Sequence, residues 1–394
     1  MNQQIGYCTN VHAGIEMASI RRNLTEYAMA VRQQLQQSNG IDQLGVGLWI
    51  PDKASTELIE GQLGDFRRFL SDGRLRPYTI NGFPFANFHG DSVKQRVYLP
   101  TWADAERLEY TQRLATILAA LLPDDQPLGS ISTLPIGWPN NPFAADSDAK
   151  QDLATAGDQL RQLAEFLKQL EHNTGKRIVV AIEPEPGCLL DTVDDMVEFF
   201  DDQLPELTHR RFITVCHDIC HSAVMNESQR AVIQRYGDAD ITVGKVQVSS
   251  AIVADWNAIP ATQHAAALKQ LSEFAEDRYL HQTGQVGTDG SFRLATDLPQ
   301  LIQQTSPADL AGVERWVIHF HVPIFLERFG LLTTTRDAVL ECLQALDGGV
   351  TGVDFTGHLE VETYAWTVLP AEMRRRGLAD DIASELQWLI NQLD

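Results

Sequence analysis

The 394-residue chain is 44% hydrophobic and carries a formal net charge of −22, a composition that fits a folded globular protein rather than a disordered one. So acidic a chain, with no Lys/Arg-rich tract, offers little to nucleic acid or to an anionic membrane, which leaves small molecules as the expected ligands. No uncharged apolar run nears the ~20 residues of a membrane span and no signal peptide is expected, while five scattered cysteines read as reduced thiols of a cytoplasmic protein.

Short apolar runs alternate with amphipathic stretches along the chain. Residues 5–9 read as a first strand and 20–35 as a helix, with Leu24, Tyr27, Ala28, Val31 and Leu35 at helical spacing. A second strand at 45–50 stops at Pro51, and a helix over 55–70 ends by Gly73. The third strand, 77–81, runs into a Gly/Pro/aromatic loop reaching residue 100; residues 104–122 are then helical. A fourth strand at 130–134 and a Pro/Asn-rich loop precede a helix over 150–171. Strands at 177–183, 211–217 and 242–249 follow, separated by helices at 192–202 and 229–236. Residues 251–304 look like an irregular insertion with one helix at 261–274. Residues 315–321 return as a strand, 335–346 are helical, and 353–362 form the last strand before a helical tail.

Strands that recur in this way, each followed by a helix, predict parallel pairing through right-handed crossovers. Eight such units make an α/β protein of the (β/α)8 TIM-barrel class. It is expected as one domain over 1–394, with a long insertion at about 250–314 and the tail at about 370–394. A doubly wound sheet is the alternative, but Asn10-Val11-His12-Ala13-Gly14 after the first strand is not the Gly-rich phosphate loop that fold carries.

Metal-capable and acidic side chains fall where strands end. Residues 178–182 deliver Glu183, residues 211–217 deliver Asp218 with His221 three residues on, and 358–362 carry His358, Glu360 and Glu362 on one face. A buried face with two carboxylates is costly unless a cation or hydrogen bonds compensate. Oxygen and imidazole ligands without thiolates suit one or more divalent ions, Mn, Zn, Fe or Mg. Glu183 is thus a candidate ligand or acid/base, or else a carboxylate bonded to the Pro184-Glu185-Pro186-Gly187 turn. Asp218 and His221 are a ligand pair, or a helix cap beside a core histidine. Glu362, nearer the strand exit, should reach the ion; Glu360 is read as a substrate contact or as lying one layer deeper. His319 and His321 share a face as metal or substrate contacts, or bond within the insertion. His12 and His89, just past strand ends, and Trp102 are candidate substrate contacts. The Phe83-Pro84-Phe85-Ala86-Asn87-Phe88 loop is either a wall for a sugar ring or apolar group, or a loop folded on the rim.

These residues resemble the xylose-isomerase-like barrel superfamily, which includes sugar isomerases, epimerases and endonuclease IV enzymes. The resemblance implies metal ligation by a Glu after strand five, Asp-x-x-His after strand six, a His after strand seven and a Glu after strand eight. Glu183, Asp218/His221 and Glu362 match three of these. Gln247 stands where the His is usual, a weaker ligand through its carbonyl oxygen, and His319 or His321 is the other source of an imidazole. Gly6-Tyr7-Cys8-Thr9-Asn10-Val11-His12, Thr79-Ile80-Asn81-Gly82-Phe83-Pro84, Val97-Tyr98-Leu99-Pro100 and Cys216-His217-Asp218-Ile219-Cys220-His221 resemble the metabolite traffic protein EboE family. That likeness implies a secondary-metabolite pathway with a cyclase-like and a membrane neighbour as pathway partners.

The expected activity is metal-dependent isomerisation or epimerisation of a sugar, cyclitol or related polyol. Glu183 and Glu362 would move a proton and His221 would orient a hydroxyl. Metal-dependent hydrolysis of a small phosphoester, or a non-catalytic metabolite carrier on the same barrel, are the alternatives.

Overall fold

The computed structural model describes residues 3–144, 148–370, 374 and 376–393. Eight strands pair in parallel into a closed barrel: β1 (Gln4–Cys8), β2 (Leu44–Trp49), β3 (Leu75–Asn81), β4 (Leu128–Thr133), β5 (Arg177–Ile182), β6 (Ile213–Asp218), β7 (Val243–Val248) and, after a long excursion, β14 (His358–Val361). β14 closes the ring between β1 and β7. Helices cover the outer faces of these strands, which turn apolar residues towards them; β5 is apolar almost throughout, with Ile178, Val180 and Ile182 all in the main core. The helices are bounded by local chemistry. Asp148 accepts hydrogen bonds from the first turn of Ala149–Thr174, which ends at Gly175 in the left-handed region (φ 69°). Thr192 and Asp195 form a reciprocal capping box on Val193–Gln203.

The excursion after β7 departs from the irregular insertion expected. It forms a six-stranded antiparallel sheet of β8 (Ile252–Asp255), β9 (Thr283–Gly287), β10 (Phe292–Ala295), β11 (Val313–Ile318), β12 (Arg328–Phe329) and β13 (Leu332–Thr334), in the order β10-β9-β11-β8-β13-β12. A tight turn with Gly290 at φ 82° joins β9 to β10, and Asp289-Gly290 between two short runs is the sequence signal for it. Trp256, Trp316 and Phe320 pack under this sheet in one cluster with Trp49, Phe88 and Tyr364 of the barrel rim. The sheet is therefore seated over the end of the barrel where the parallel strands finish. Leu378–Leu393 is the C-terminal helix, packed on the main core through Ile382, Leu386 and Leu389; residues 371–373, 375 and 394 of the expected tail lie outside the described residues.

The barrel interior is polar. Lys245 Nζ lies 2.5 Å from Glu360 Oε2, with both side chains fully buried. His358 Nδ1 bonds Ser130 Oγ at 2.8 Å. Gly47 makes room for this layer: a Cβ there would sit 1.2 Å from Glu360 Oε1.

Candidate metal centre at the barrel mouth

Side chains from three strand ends meet above that layer. Glu183 follows β5, Asp218 ends β6 and Glu362 follows β14. One carboxylate oxygen from each lies within 4.8 Å of the others, roughly the span of ligands placed 2.0–2.6 Å around one ion. Asp218 Oδ1 caps the short helix Ile219–Val224 through His221 N–H (2.9 Å) and accepts from Ser249 Oγ (2.8 Å). The cap and the site are thus two uses of one carboxylate, because Asp218 Oδ2 is left buried without a partner, as is Glu183 Oε2. Glu362 Oε1 accepts from Asn10 Nδ2 (2.7 Å) and Asn81 Nδ2 (2.8 Å).

Three histidines complete the cluster, and their partners fix their tautomers. His321 Nδ1 donates to the Glu362 carbonyl at 2.9 Å, so Nε2 holds a lone pair. That Nε2 has no partner and lies 3.8 Å from Asp218 Oδ2. His221 Nδ1 donates to the Pro184 carbonyl at 2.8 Å. His319 Nδ1 faces Gln282 Oε1 at 2.8 Å, and the Gln282 amide is oriented by donating Nε2 to the Pro186 carbonyl and Glu185. The Nε2 atoms of His221 and His319 face each other at 3.2 Å, with the Tyr364 hydroxyl 3.5 Å from His319 Nε2. The contact of the two nitrogens is repulsive unless a proton or a cation sits there.

Electrostatics point the same way. Burial, reinforced by Glu362 and Asp218, pushes the Glu183 carboxyl well above the usual carboxylate range against the pull of Lys245. Burial with Asp218 and Glu360 nearby raises Glu362 likewise, opposed by Lys245 and the Asn10 hydrogen bond. Burial also acts upward on Asp218, but His221, His321 and its two hydrogen bonds outweigh it and hold the group low. Burial drives His321 down to about 4, and His319 falls well below the usual imidazole range through burial and the other histidines. Neutral imidazoles, crowded carboxylates and unpartnered lone pairs are what a divalent cation would satisfy. The residues present fit such an ion.

The remaining sequence candidates have differing places. Gln247 is buried on β7, in register with Asp218 and Glu360, with neither amide atom hydrogen-bonded. Glu360 occupies the layer below, paired with Lys245. His12 bonds Tyr7 OH (3.0 Å) and stacks on Tyr27, outside the cavity lining. Trp102 is fully buried in the core, donating to Thr133 Oγ1 at 3.0 Å. His89 bonds the Asn10 carbonyl at 2.7 Å and so acts on the site through Asn10. Asn10, Asn81 and Glu185 escaped the sequence reading although all three line the cavity. Their position at the end of β3 (Asn81) and just past β1 and β5 (Asn10, Glu185) was the available signal.

The cavity over the cluster takes in about 530 Å³ of space, open solvent at its mouth included. No helix among the described residues is long and apolar enough to cross a membrane.

No family model matches the chain and no curated protein does. Among solved structures, a xylose isomerase-like TIM barrel protein from Mycobacterium smegmatis in complex with magnesium is similar over 100% of this chain and 97% of that one, with 12% identity and a TM-score of 0.51. An IOLI protein with a binding zinc atom covers 99% of this chain and 98% of its own, at 11% identity and TM-score 0.48. The D-allulose 3-epimerase of Methylomonas sp. in complex with D-allulose covers 70% and 82%, at 15% identity and TM-score 0.40. What the magnesium-bound barrel shares with this chain is the fold, a closed (β/α)8 TIM barrel.

Proposed function

We propose that the protein is a divalent-metal-dependent isomerase or epimerase for a sugar, cyclitol or related polyol, working in an EboE-type secondary-metabolite pathway. The observation that carries this reading is the convergence of one carboxylate oxygen each from Glu183, Asp218 and Glu362, with His321 Nε2 3.8 Å from Asp218 Oδ2 and with Glu183 Oε2, Asp218 Oδ2 and His321 Nε2 all buried and unpartnered. Glu183, Asp218 and Glu362 would hold the ion, with Gln247 and the imidazole of His321 or His319 as further ligands. When bound, a dication of Mn, Zn, Fe or Mg polarises adjacent carbonyl and hydroxyl oxygens as a Lewis acid.

The chain's own groups do the proton work. Glu183, raised by burial and its acidic neighbours, is suited to take a proton from a substrate carbon at the carboxylate oxygen that does not hold the ion. Glu362 has Oε1 fixed by Asn10 and Asn81, which leaves Oε2 to hold and return a proton. His221, anchored through Nδ1, orients a substrate hydroxyl with Nε2. The pathway reading carries with it a cytoplasmic location and association with pathway proteins. Turnover of a panel of aldose, ketose and cyclitol substrates by the metal-loaded protein tests it. Glu183→Gln and Glu362→Gln should each lower the rate by about 10²–10⁴-fold, and variants that turn the substrate over normally would refute the mechanism.

A second reading, hydrolysis of a small phosphoester by more than one ion, is favoured by a second candidate ligand set, Glu185, His221 and His319. The facing Nε2 pair at 3.2 Å lies within it. Two or more ions per chain in elemental analysis would select this reading, and one would select the isomerase.

A further inference from the structure

The cavity has two faces of opposite chemistry. Its floor is the polar cluster described above. Its wall comes from the loop after β3 and from the segment preceding β9, where Phe83, Phe88, Val97 and Leu280 present carbon. The polar atoms that this wall carries are engaged within the protein. Tyr98 OH donates to Glu185 Oε1 at 2.6 Å, Tyr279 OH donates to the Phe88 carbonyl at 3.2 Å, and Lys94 Nζ is paired with Asp297 at 2.7 Å. The rings are held by each other: Phe88 lies 5.0 Å from Tyr279 and 5.3 Å from Tyr364, and Tyr98 stacks on Trp138 at 5.2 Å.

A polyol with a hydroxyl on every carbon would leave its outer hydroxyls against this wall without partners, which is unfavourable once water is displaced. A flat hydrocarbon face would instead bury apolar area against edge- and face-presenting rings. We propose that the ligand has two parts: a small head with adjacent oxygens, sugar- or cyclitol-like, held at the floor, and an aryl body lying along the Phe83–Phe88–Leu280 wall. This narrows the substrate class and rests on the reading of the floor as a metal centre.

Acetohydroxamate and benzohydroxamate separate the two parts, since they share a bidentate oxygen head and differ in the aryl group. Each is titrated calorimetrically into the full chain purified without chelators and loaded with its metal. Both should bind, benzohydroxamate at least about 10-fold more tightly, and the ratio of the two affinities should fall towards one in Val97→Asn and in Leu280→Asn. Equal affinities for the natural chain, or a ratio unchanged in both variants, would overturn the aryl subsite and leave the floor reading standing. Failure of both compounds to bind would overturn the floor reading and the proposal together.

Discussion

Lys245→Met removes the cation from a fully buried ion pair and strands Glu360 inside the barrel. Lys245 Nζ lies 2.5 Å from Glu360 Oε2 and 3.3 Å from Ser132 Oγ. The Glu360 carboxylate occupies the space where a side chain at Gly47 would begin. Breaking a buried pair from one side costs about 3–5 kcal/mol. The expected loss is of that size at pH 7. Urea unfolding followed by tryptophan fluorescence measures it. Lys245→Met/Glu360→Met, which removes both charges with apolar side chains of similar size, should recover most of the loss. A single variant that loses less than about 1 kcal/mol at pH 7, or a double variant no more stable than the single, would refute the reasoning.

Three further outcomes follow from the same geometry. His321→Ala should weaken metal binding at least about 10-fold by competition with a chromophoric chelator, because Nε2 is held towards Asp218 by the Glu362 carbonyl; unchanged affinity would remove His321 from the ligand set. Gln247→Leu should lower metal affinity yet stabilise the metal-free protein by about 1 kcal/mol in urea unfolding, since both amide atoms are buried without partners; a less stable apoprotein would show the amide to be satisfied. Burial pushes Glu385 up to about 7 even though it accepts from Thr363 Oγ1 and Ile324 N–H. Between pH 4.5 and 7 the folded chain then binds more protons there than the unfolded one, so stability falls as pH rises, by up to about 3 kcal/mol, and levels off above. Glu385→Gln should flatten that part of the stability curve, and an unaltered slope would count against the burial argument.

The barrel was legible because short strand-like runs recur along the chain with amphipathic helices between most of them. The carboxylates were legible for a related reason: Glu183, Asp218 and Glu362 end apolar runs, and a charge at that place needs a partner. The layering of Glu360 under Glu362 follows from side-chain alternation along β14, but its pairing with Lys245 does not, because β7 and β14 are far apart in the chain and become neighbours only when the barrel closes. His12 and Trp102 look like rim residues by position, yet Tyr27 and Thr133 draw them into packing away from the cavity. The network of Glu185, Gln282, Tyr98 and His319 was invisible in one dimension, since it joins the turn after β5 to a sheet built more than ninety residues later. That sheet was itself obscured by short strands whose polar and apolar residues do not alternate cleanly.

Crystals grown from protein purified without chelators, with diffraction collected on either side of the Mn, Fe and Zn absorption edges and elemental analysis of the same preparation, test the central claim most directly. The account predicts at least one ion per chain, bonded by Glu183, Asp218 and Glu362 and approached by the Nε2 of His321. Carboxylates bridged only by water and protons, in a protein that takes up no stoichiometric Mn, Fe, Zn or Mg, would contradict it.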